Sequence, residues 1–221
     1  TGYPIAKISA KIAIGYALDE IPNDMGGNKY ASIEPVIDYI VVKIPKWPFD
    51  KFIKADKRLG TKMKATGEVM AIASSVEEGL LKAVRSLELN IDTLELSHLK
   101  ELDDEKLVGL LRAKTDERIF VVAECMRRGL SSDLIFESTK IDRFFLNAIH
   151  NIVKAEEKLR GYTLDTLNMD ILKKSKCMGF TDRTIGKLIG GSTEEIRHMR
   201  KMWDIEPVYK KVETCAGEYK P

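Results

Sequence analysis

A glycine followed directly by a glutamate, Gly67-Glu68, lies within an otherwise apolar segment that indicates a β-strand. Burying a carboxylate costs several kcal/mol unless it is paired or faces water, and a glycine in a strand permits close approach of another backbone. The pair therefore indicates a strand that lines a cleft or channel, rather than one that only fills a core. The alternative is that Glu68 forms an ion pair with a neighbouring lysine such as Lys62 or Lys64.

The other residue types that could catalyse a reaction or bind a metal or phosphate do not form recognisable sites. The histidines at positions 98, 150 and 198 are isolated, and no His-x-x-His or Cys-x-x-Cys spacing provides a metal site. The motifs G-x-x-x-x-G-K-[ST] and G-x-G-x-x-G, which bind phosphate groups, are absent. We therefore predict no catalytic, metal-binding or cofactor-binding residue. Five serines are typical of helix caps rather than nucleophiles: Ser74, Ser75, Ser131, Ser132 and Ser192.

The composition is that of an ordered protein with balanced charge. Of 221 residues, 44% are hydrophobic and 32% are charged, and the net charge is only +2. This balance argues against nucleic acid and anionic membrane as partners, and no apolar run approaches the roughly 18 residues that would span a bilayer. Cys125, Cys177 and Cys215 match neither a zinc spacing nor a disulfide framework, so we expect a reducing, cytoplasmic location.

One segment, residues 179–203, has features of a helix-turn-helix. Two predicted short helices flank Gly190-Gly191, and the second carries Arg197, Arg200 and Lys201. Three acidic residues in the same segment dilute this positive charge, whereas a helix that binds DNA usually presents a basic face. We therefore do not predict DNA binding.

The elements that position these residues change along the chain. Residues 1–89 mix helix and strand, with strands predicted at 36–44 and 62–72 and a helix predicted from the cap Ser75 through Val84. Because the strands are too few for a complete domain, we predict part of an α+β domain. An opening helix is predicted by four apolar residues on one face: Ile5, Ile8, Ile12 and Tyr16.

Residues 90–204 contain no convincing strand and predict a compact all-α domain. We interpret residues 205–221 as a linker, or a first strand, that leads toward a further domain. Since the chain lacks an initiator methionine and enters a helical pattern at once, we expect it to be a piece of a longer protein. Seven helices are predicted in the all-α region: 104–113, 116–128, 132–138, 142–159, 166–177, 182–188 and 193–202.

The all-α region contains two short segments of similar sequence. Gly129-Leu130-Ser131 and Gly179-Phe180-Thr181 both place a glycine, an apolar residue and a hydroxyl cap before a helix, and Ile135 and Ile185 occupy matching positions. The spacing is consistent with a duplicated helical unit. The simpler interpretation is that ordinary capping chemistry ends one helix and begins the next.

Several motifs occur in an order that resembles the large subunit of carbamoyl-phosphate synthetase. The resemblance covers essentially the whole chain, and Lys43-Ile44-Pro45 favours the first, carboxyphosphate-making half of that subunit over the second. The motif Thr66–Ala71 departs from the family pattern in having Ala65-Thr66 before its glycine in place of the commoner Ser-Val. The segments that carry the resemblance are Thr1–Lys7, Glu34–Pro45, Thr66–Ala71, Arg127–Ser131, Thr139–Leu146, Gly179–Asp182, Pro207–Lys210 and Glu213–Ala216.

The resemblance implies a fold and a domain order. It implies an α+β ATP-grasp C-terminal portion at residues 1–89, followed by an all-α helical oligomerisation domain at 90–204, with the chain predominantly helical overall. Residues 205–221 would lead toward the second synthetase half. The parent would be a glutamine-hydrolysing, ATP-dependent carbon–nitrogen ligase that makes carbamoyl phosphate from bicarbonate and ammonia, for pyrimidine and arginine biosynthesis.

The resemblance also implies site residues, cofactors and partners. Ile37, Met63, Thr66 and Glu68 match positions that line the tunnel for reactive intermediates. The parent would use two ATP with Mg2+ or Mn2+, but the carboxylates that bind the metal belong to a motif upstream of Thr1. We therefore expect no cofactor and no ATPase activity in this chain alone. The expected partners are the glutaminase small subunit, the other large-subunit domains and further copies of the chain.

A second hypothesis belongs to a different class of function. The chain would then be a stand-alone helical interaction or regulatory module that carries a degenerate ATP-grasp remnant. Flanking coding sequence distinguishes the two hypotheses, because an E-x-N-P-R motif just upstream supports the synthetase and a start codon at Thr1 supports the module.

Overall fold

Ten helices and four strands are found in the residues that the structure describes. This structure, a computed structural model, describes residues 3–23, 29–34, 37–47, 54, 56, 58–63 and 66–212. The strands are β1 (Pro22–Asn23), β2 (Lys29–Tyr30), β3 (Ile40–Pro45) and β4 (Glu68–Ala73). The helices are α1 (Ile5–Ala13), α2 (Val76–Arg85), α3 (Ser97–Lys100), α4 (Asp104–Arg112), α5 (Arg118–Arg127), α6 (Ser132–Thr139), α7 (Arg143–Arg160), α8 (Met169–Cys177), α9 (Asp182–Ile189) and α10 (Thr193–Met202). Helices contain about half of the described residues and strands contain far fewer. The predicted predominance of helix over strand is confirmed, and the ATP-grasp portion stays a prediction.

The described residues divide into two compact units, Thr1–Ile40 with Pro207–Pro221, and Val41–Glu206. In the first unit, Ile8 of α1 packs with Ile21 and Ala31 in a small apolar cluster. The Tyr3 hydroxyl donates a hydrogen bond to the Ala31 carbonyl oxygen (2.5 Å), and β1 and β2 pair antiparallel. The predicted opening helix is confirmed, although three residues of its predicted apolar face are exposed: Ile5, Ile12 and Tyr16.

The sheet of the second unit joins β3 to β4. Both predicted strands are confirmed, but each begins later than expected: β3 begins at Ile40 rather than residue 36, and β4 at Glu68 rather than residue 62. Residues 36, 64 and 65 lie outside the described part of the chain. For β4 the physical reason is Gly67, whose φ of +140° lies in a region that residues with a side chain rarely adopt. The strand therefore starts immediately after this glycine.

Helix α2 begins as the sequence predicts, with one difference in its cap. The Ser75 hydroxyl accepts a hydrogen bond from the Glu78 backbone N–H (3.2 Å), which satisfies one of the unpaired donors of the first turn. A capping box would also direct the Glu78 carboxylate to the Ser75 N–H. The carboxylate instead accepts hydrogen bonds from the Ser74 backbone N–H (2.9 Å) and hydroxyl (2.8 Å). Glu78 thus fixes the turn that connects β4 to α2.

The seven helices predicted between residues 104 and 202 are all present, with ends within a few residues of the predicted limits. No strand occurs in residues 90–204, as predicted. Helix α5 lies at the centre, with every residue from Phe120 to Met126 buried, and it contacts α3, α4, α6 and α7. The sequence missed α3, which has only four residues and therefore shows no helical periodicity.

The internal similarity extends over three consecutive helices at a spacing of fifty residues. We call α5–α7 repeat 1 and α8–α10 repeat 2. Helices α5 and α8 end at equivalent positions, α6 and α9 begin and end at equivalent positions, and α7 and α10 begin at equivalent positions. Ordinary capping chemistry does not fix helix and linker lengths. The shared limits therefore favour a duplicated helical unit over the simpler interpretation.

The capping residues of the two repeats agree with this equivalence. Ser131 and Thr181 cap α6 and α9 with their hydroxyl groups, and Asp142 and Ser192 cap α7 and α10 with their side-chain oxygens. Between these caps, Lys140 and Gly190 both adopt the left-handed conformation that ends the preceding helix. The buried positions also correspond, Ile135 to Ile185 and Leu146 to Ile196.

Two polar contacts join α2 to the helical region across the predicted boundary at residues 89 and 90. The Asn151 amide donates to the Glu77 carboxylate (2.9 Å), and the Arg85 guanidinium donates to the Gly179 carbonyl oxygen (2.8 Å). The division into 1–89, 90–204 and 205–221 stays a prediction. Within the described residues, no helix is both long enough and apolar enough to cross a membrane.

Candidate functional site: the β3–β4 edge and the α6–α7 surface

Glu68, the residue that first suggested a lined cleft, pairs across the sheet with Lys43. The Lys43 ammonium lies 2.7 Å from a Glu68 carboxylate oxygen, and the two side chains are 54% and 56% exposed. The carboxylate is therefore half in water and paired, so the cost of burying an isolated charge does not arise. An ion pair was the alternative interpretation, and among the described residues the structure shows Lys43 of β3 as a partner of Glu68; Lys64 lies outside the described residues.

The glycine before Glu68 is required by the backbone of β3. A Cβ atom at Gly67 would overlap the Lys46 carbonyl oxygen, and the Lys46 N–H donates a hydrogen bond to the Gly67 carbonyl oxygen (3.0 Å). The close backbone approach predicted from the sequence is confirmed. Gly67 therefore allows the end of β3 and the start of β4 to join, and this places Glu68 next to Lys43.

The other predicted tunnel residues are exposed where the structure describes them. Thr66 directly precedes Gly67 and is exposed, and Met63 is 84% exposed, an unusual state for a large apolar side chain. Ile37 belongs to the first unit and is also exposed there. Thr66 and Glu68, on either side of Gly67, are therefore both exposed to solvent at the β3–β4 edge of the second unit. The tunnel assignment itself stays a prediction.

The described residues do not fit a bound metal ion. No three His, Cys, Asp or Glu side chains converge on one point anywhere in the described ranges. His98 forms a pair with Glu117 on the surface (3.2 Å), and His150 and His198 lie on α7 and α10. We therefore derive no step that passes through Mg2+ or Mn2+. Three of the serines predicted as caps are confirmed in that role: Ser75, Ser131 and Ser192.

A buried ion-pair network in the helical region was not found from the sequence. Arg127 binds both carboxylate oxygens of Glu156, and Glu124 accepts hydrogen bonds from Arg127 and Arg128. Arg128 also donates to the backbone carbonyls at the end of α3, including that of Leu99 (3.0 Å). Helical spacing could have indicated that Glu156 is buried, because it lies in register with the buried apolar residues of α7. The network holds α3, α5 and α7 together.

A second exposed feature lies where α6 meets α7. We define the aromatic patch as Phe136, Phe144 and Phe145. The rings of Phe144 and Phe145 meet edge to face with centroids 5.3 Å apart, and the Arg143 guanidinium lies over the Phe136 ring at 4.6 Å. Phe144 and Phe145 are 62% and 51% exposed. Because large apolar side chains seldom cluster on a free surface, such patches mark sites of interaction.

Comparison with known proteins agrees with the motif order. A family model described as carbamoyl-phosphate synthetase large chain, oligomerisation domain, matches residues 68–204. The chain belongs to this family. The match begins at the first residue of β4, and it includes the aromatic patch and both repeats. The resemblance inferred from the motifs is confirmed.

Curated relatives of the family extend the similarity to nearly the whole chain. The carbamoyl phosphate synthase large chains of Clostridium perfringens strain SM101 and of Thermoanaerobacter sp. strain X514 are each 50% identical to it over 219 residues. These alignments cover 99% of the chain but only 20% of each relative. The chain therefore spans about one fifth of the length of the curated relatives that it matches.

Proposed function

We propose that this chain provides the self-association domain of a carbamoyl-phosphate synthetase large chain, together with the end of its first ATP-grasp half. The observation that carries the proposal is the family match over residues 68–204, and the 50% identity that continues beyond both ends of that match supports it. A stand-alone module with a degenerate remnant gives no reason for such identity over 99% of the chain.

Light scattering over a hundredfold range of protein concentration tests the self-association. We expect a molar mass that rises with concentration from that of a single chain, 24.9 kDa, because the apolar surface of the domain is removed from water when copies associate. A mass that stays at 24.9 kDa throughout would contradict the proposal. Carbonic anhydrase, which is monomeric, serves as the control for non-ideal scattering.

In the complete large chain, the reaction would join ammonia to bicarbonate at the expense of two ATP. We infer that ATP and its Mg2+ or Mn2+ are bound by other parts of that protein, because the described residues gather no carboxylate cluster for a metal. The test is calorimetric titration of the chain with magnesium-ATP. Heat that saturates would contradict this inference, and titration of a complete large chain under the same conditions is the positive control.

We propose that Glu68 and Thr66 form part of the wall of the tunnel, with Ile37 and Met63 as the other two wall residues. The support is the exposure of these residues and the position of Glu68 beside Lys43. Carboxyphosphate and carbamate hydrolyse in water, so a damaged wall would release them before use.

Substitution in the complete large chain tests the tunnel. We expect Glu68→Ala to increase the number of ATP molecules consumed for each carbamoyl phosphate formed, because intermediates are lost through the altered wall. The matched control is Glu88→Ala, which removes the same charge from an exposed carboxylate paired with Lys46. Unchanged coupling in the Glu68 variant would contradict the tunnel assignment.

The remaining partners follow from the same proposal. The complete protein would receive ammonia from a glutaminase small subunit and would work in the cytoplasm. Co-purification of a small subunit with a complete large chain tests the first point. We expect the chain alone not to retain duplex DNA at low salt, and retention there would revive the helix-turn-helix hypothesis.

A further inference from the structure

The two repeats provide an internal comparison for the aromatic patch. At the spacing of fifty residues, Phe144 and Phe145 correspond to Glu194 and Glu195. Repeat 2 thus places two glutamates in the first turn of its third helix, where repeat 1 places two exposed phenylalanines. The helical unit therefore does not require aromatic residues at these positions in order to fold.

Glu195 of repeat 2 has a local role in its helix cap, and the rings of the two phenylalanines do not. Glu195 completes a capping box with Ser192, to whose backbone N–H its carboxylate is hydrogen-bonded (2.8 Å). In repeat 1 the Asp142 carboxylate caps the helix by accepting a hydrogen bond from the Phe144 N–H (2.8 Å), and the two rings extend toward solvent. The exposed part of the two rings takes no part in the cap, and it leaves water only when another surface covers it.

The patch combines aromatic rings with an arginine, and charged side chains lie beside it. Asp133, Phe136 and Glu137 lie at helical spacing on one face of α6. Lys140, which follows the last residue of α6, extends over the Phe136 ring at 5.5 Å, and Arg143 begins α7. Arg143 is paired with Asp133 (2.6 Å) and lies over the Phe136 ring. Aromatic residues and arginine are enriched at the centres of interfaces.

The charges around the patch favour a second copy of the chain as the occupant. We define the charged stripe as Asp133, Glu137, Lys140 and Arg143, which form the ion pairs Asp133–Arg143 and Glu137–Lys140. A stripe with two acids and two bases can face itself about a two-fold axis, because the acids of one copy then meet the bases of the other. Such a balanced surface offers no attraction to an anionic partner such as nucleic acid.

We propose that the aromatic patch, together with the charged stripe beside it, is the surface through which two copies of this chain associate. This inference rests on the proposed self-association of the domain and adds its location. Phe144 and Phe145 of each copy form the centre of the contact, and the charged stripe forms its edge.

The test uses the full 221-residue chain and a double substitution taken from the protein's own repeat 2. In Phe144→Glu/Phe145→Glu, repeat 1 receives the residues that repeat 2 has at the equivalent positions. We expect circular dichroism and the thermal midpoint to show a folded protein. Light scattering is expected to give the single-chain mass of 24.9 kDa at every concentration at which the wild type is larger.

Met169→Glu is the matched control, because it also adds a charge at an exposed apolar residue at the start of a helix. It is expected to associate like the wild type. A double variant that associates like the wild type would overturn the location and leave self-association standing. A wild type that stays a single chain would overturn both proposals.

Hydrogen exchange of the wild type gives a second measurement that does not depend on the variant folding. Amide protection in residues 132–147 is expected to increase between low and high protein concentration, because the contact excludes water and restricts opening of α6 and the start of α7. Protection that is independent of concentration in this segment, in a sample that does associate, would overturn the inference.

Discussion

Arg127 and Glu156 form a two-point ion pair inside the helical region, with nitrogen–oxygen distances of 2.9 Å and 3.3 Å. Their side chains are only 12% and 3% exposed. Arg127 also donates to the Leu94 carbonyl oxygen (2.9 Å), so one guanidinium connects α5, α7 and the segment before α3. Removing one partner of such a pair leaves the other charge buried without compensation.

The first prediction concerns this pair. Arg127→Met is expected to lower the free energy of unfolding by about 3–5 kcal/mol, the range for breaking a buried ion pair from one side. Urea unfolding followed by circular dichroism measures the change. The control is Lys106→Met, which breaks the exposed pair with Asp103 and is expected to cost less than about 1 kcal/mol. Equal effects of the two substitutions would contradict the prediction.

A second prediction concerns the pH dependence of stability through Asp92. Its carboxylate accepts two hydrogen bonds from Arg183 (2.6 and 2.7 Å) and one from the Thr181 hydroxyl (3.1 Å). The hydrogen bonds from Arg183, opposed in part by burial, hold the pKa of Asp92 below its usual value. Because the pKa is lowered on folding, the stabilisation is present above the unfolded-state pKa of about 4 and is lost as the pH falls through the folded-state pKa.

Asp92→Asn is therefore expected to lower the free energy of unfolding at pH 7 by about 1.5–3 kcal/mol, the range for hydrogen bonds to charged groups. The difference from the wild type is expected to shrink as the pH falls below about 4, where the carboxylate of the unfolded chain becomes protonated, and to vanish below the lowered folded-state pKa. Chemical unfolding at pH 7, 5 and 3 measures it. Asp165→Asn, a change at an exposed acid, is the control. A difference that grows toward low pH would contradict the sign.

The sequence predicted the helices well because their signals are local. Caps such as Ser131, Thr181 and Ser192 act within three residues of the helix start, so they can be recognised without knowledge of the fold. Strand limits were less accurate, since the start of β4 depends on the contact of Gly67 with Lys46, a residue of the neighbouring segment. Pairing across a sheet cannot be inferred from one strand alone.

In the candidate sites too, local sequence patterns could be recognised but tertiary contacts could not. The sequence identified Gly67-Glu68 as unusual but could not select Lys43 as the partner, because the two residues meet only when β3 and β4 pair. Likewise, the sequence showed the similarity around Ile135 and Ile185, but the extent of this similarity became clear only from the shared limits of three helices. Local patterns thus identify the residues, and tertiary contacts decide what each residue touches.

A third prediction compares two glycines, one with a backbone atom close to its Cβ position and one with open space there. Gly67→Ala is expected to lower the free energy of unfolding by about 1–3 kcal/mol, because the side chain would meet the Lys46 carbonyl oxygen and the backbone conformation would become strained. Gly109 lies within α4 with no atom near its Cβ position, so Gly109→Ala is expected to stabilise the protein by up to about 1 kcal/mol. Thermal unfolding measures both. Equal shifts in the same direction would contradict the assignment.

The last prediction separates two cysteines by their reactivity. Cys125 is buried in α5, and burial raises the pKa of its thiol to about 11. Thiolate is the reactive form, so at pH 8 only about one Cys125 in a thousand would be ionised, and that small fraction is also shielded by the core. Cys177, the last residue of α8, is exposed.

In a Cys215→Ser background, a chromogenic disulfide reagent at pH 8 is expected to react rapidly with one thiol per chain. Peptide mapping should place the label at Cys177, and Cys125 should react only at the rate at which the helical region opens. Unfolding in guanidinium provides the control, since both thiols should then react at similar rates. Rapid labelling of Cys125 in the native protein would show that α5 is accessible, contrary to the central position that the structure gives it.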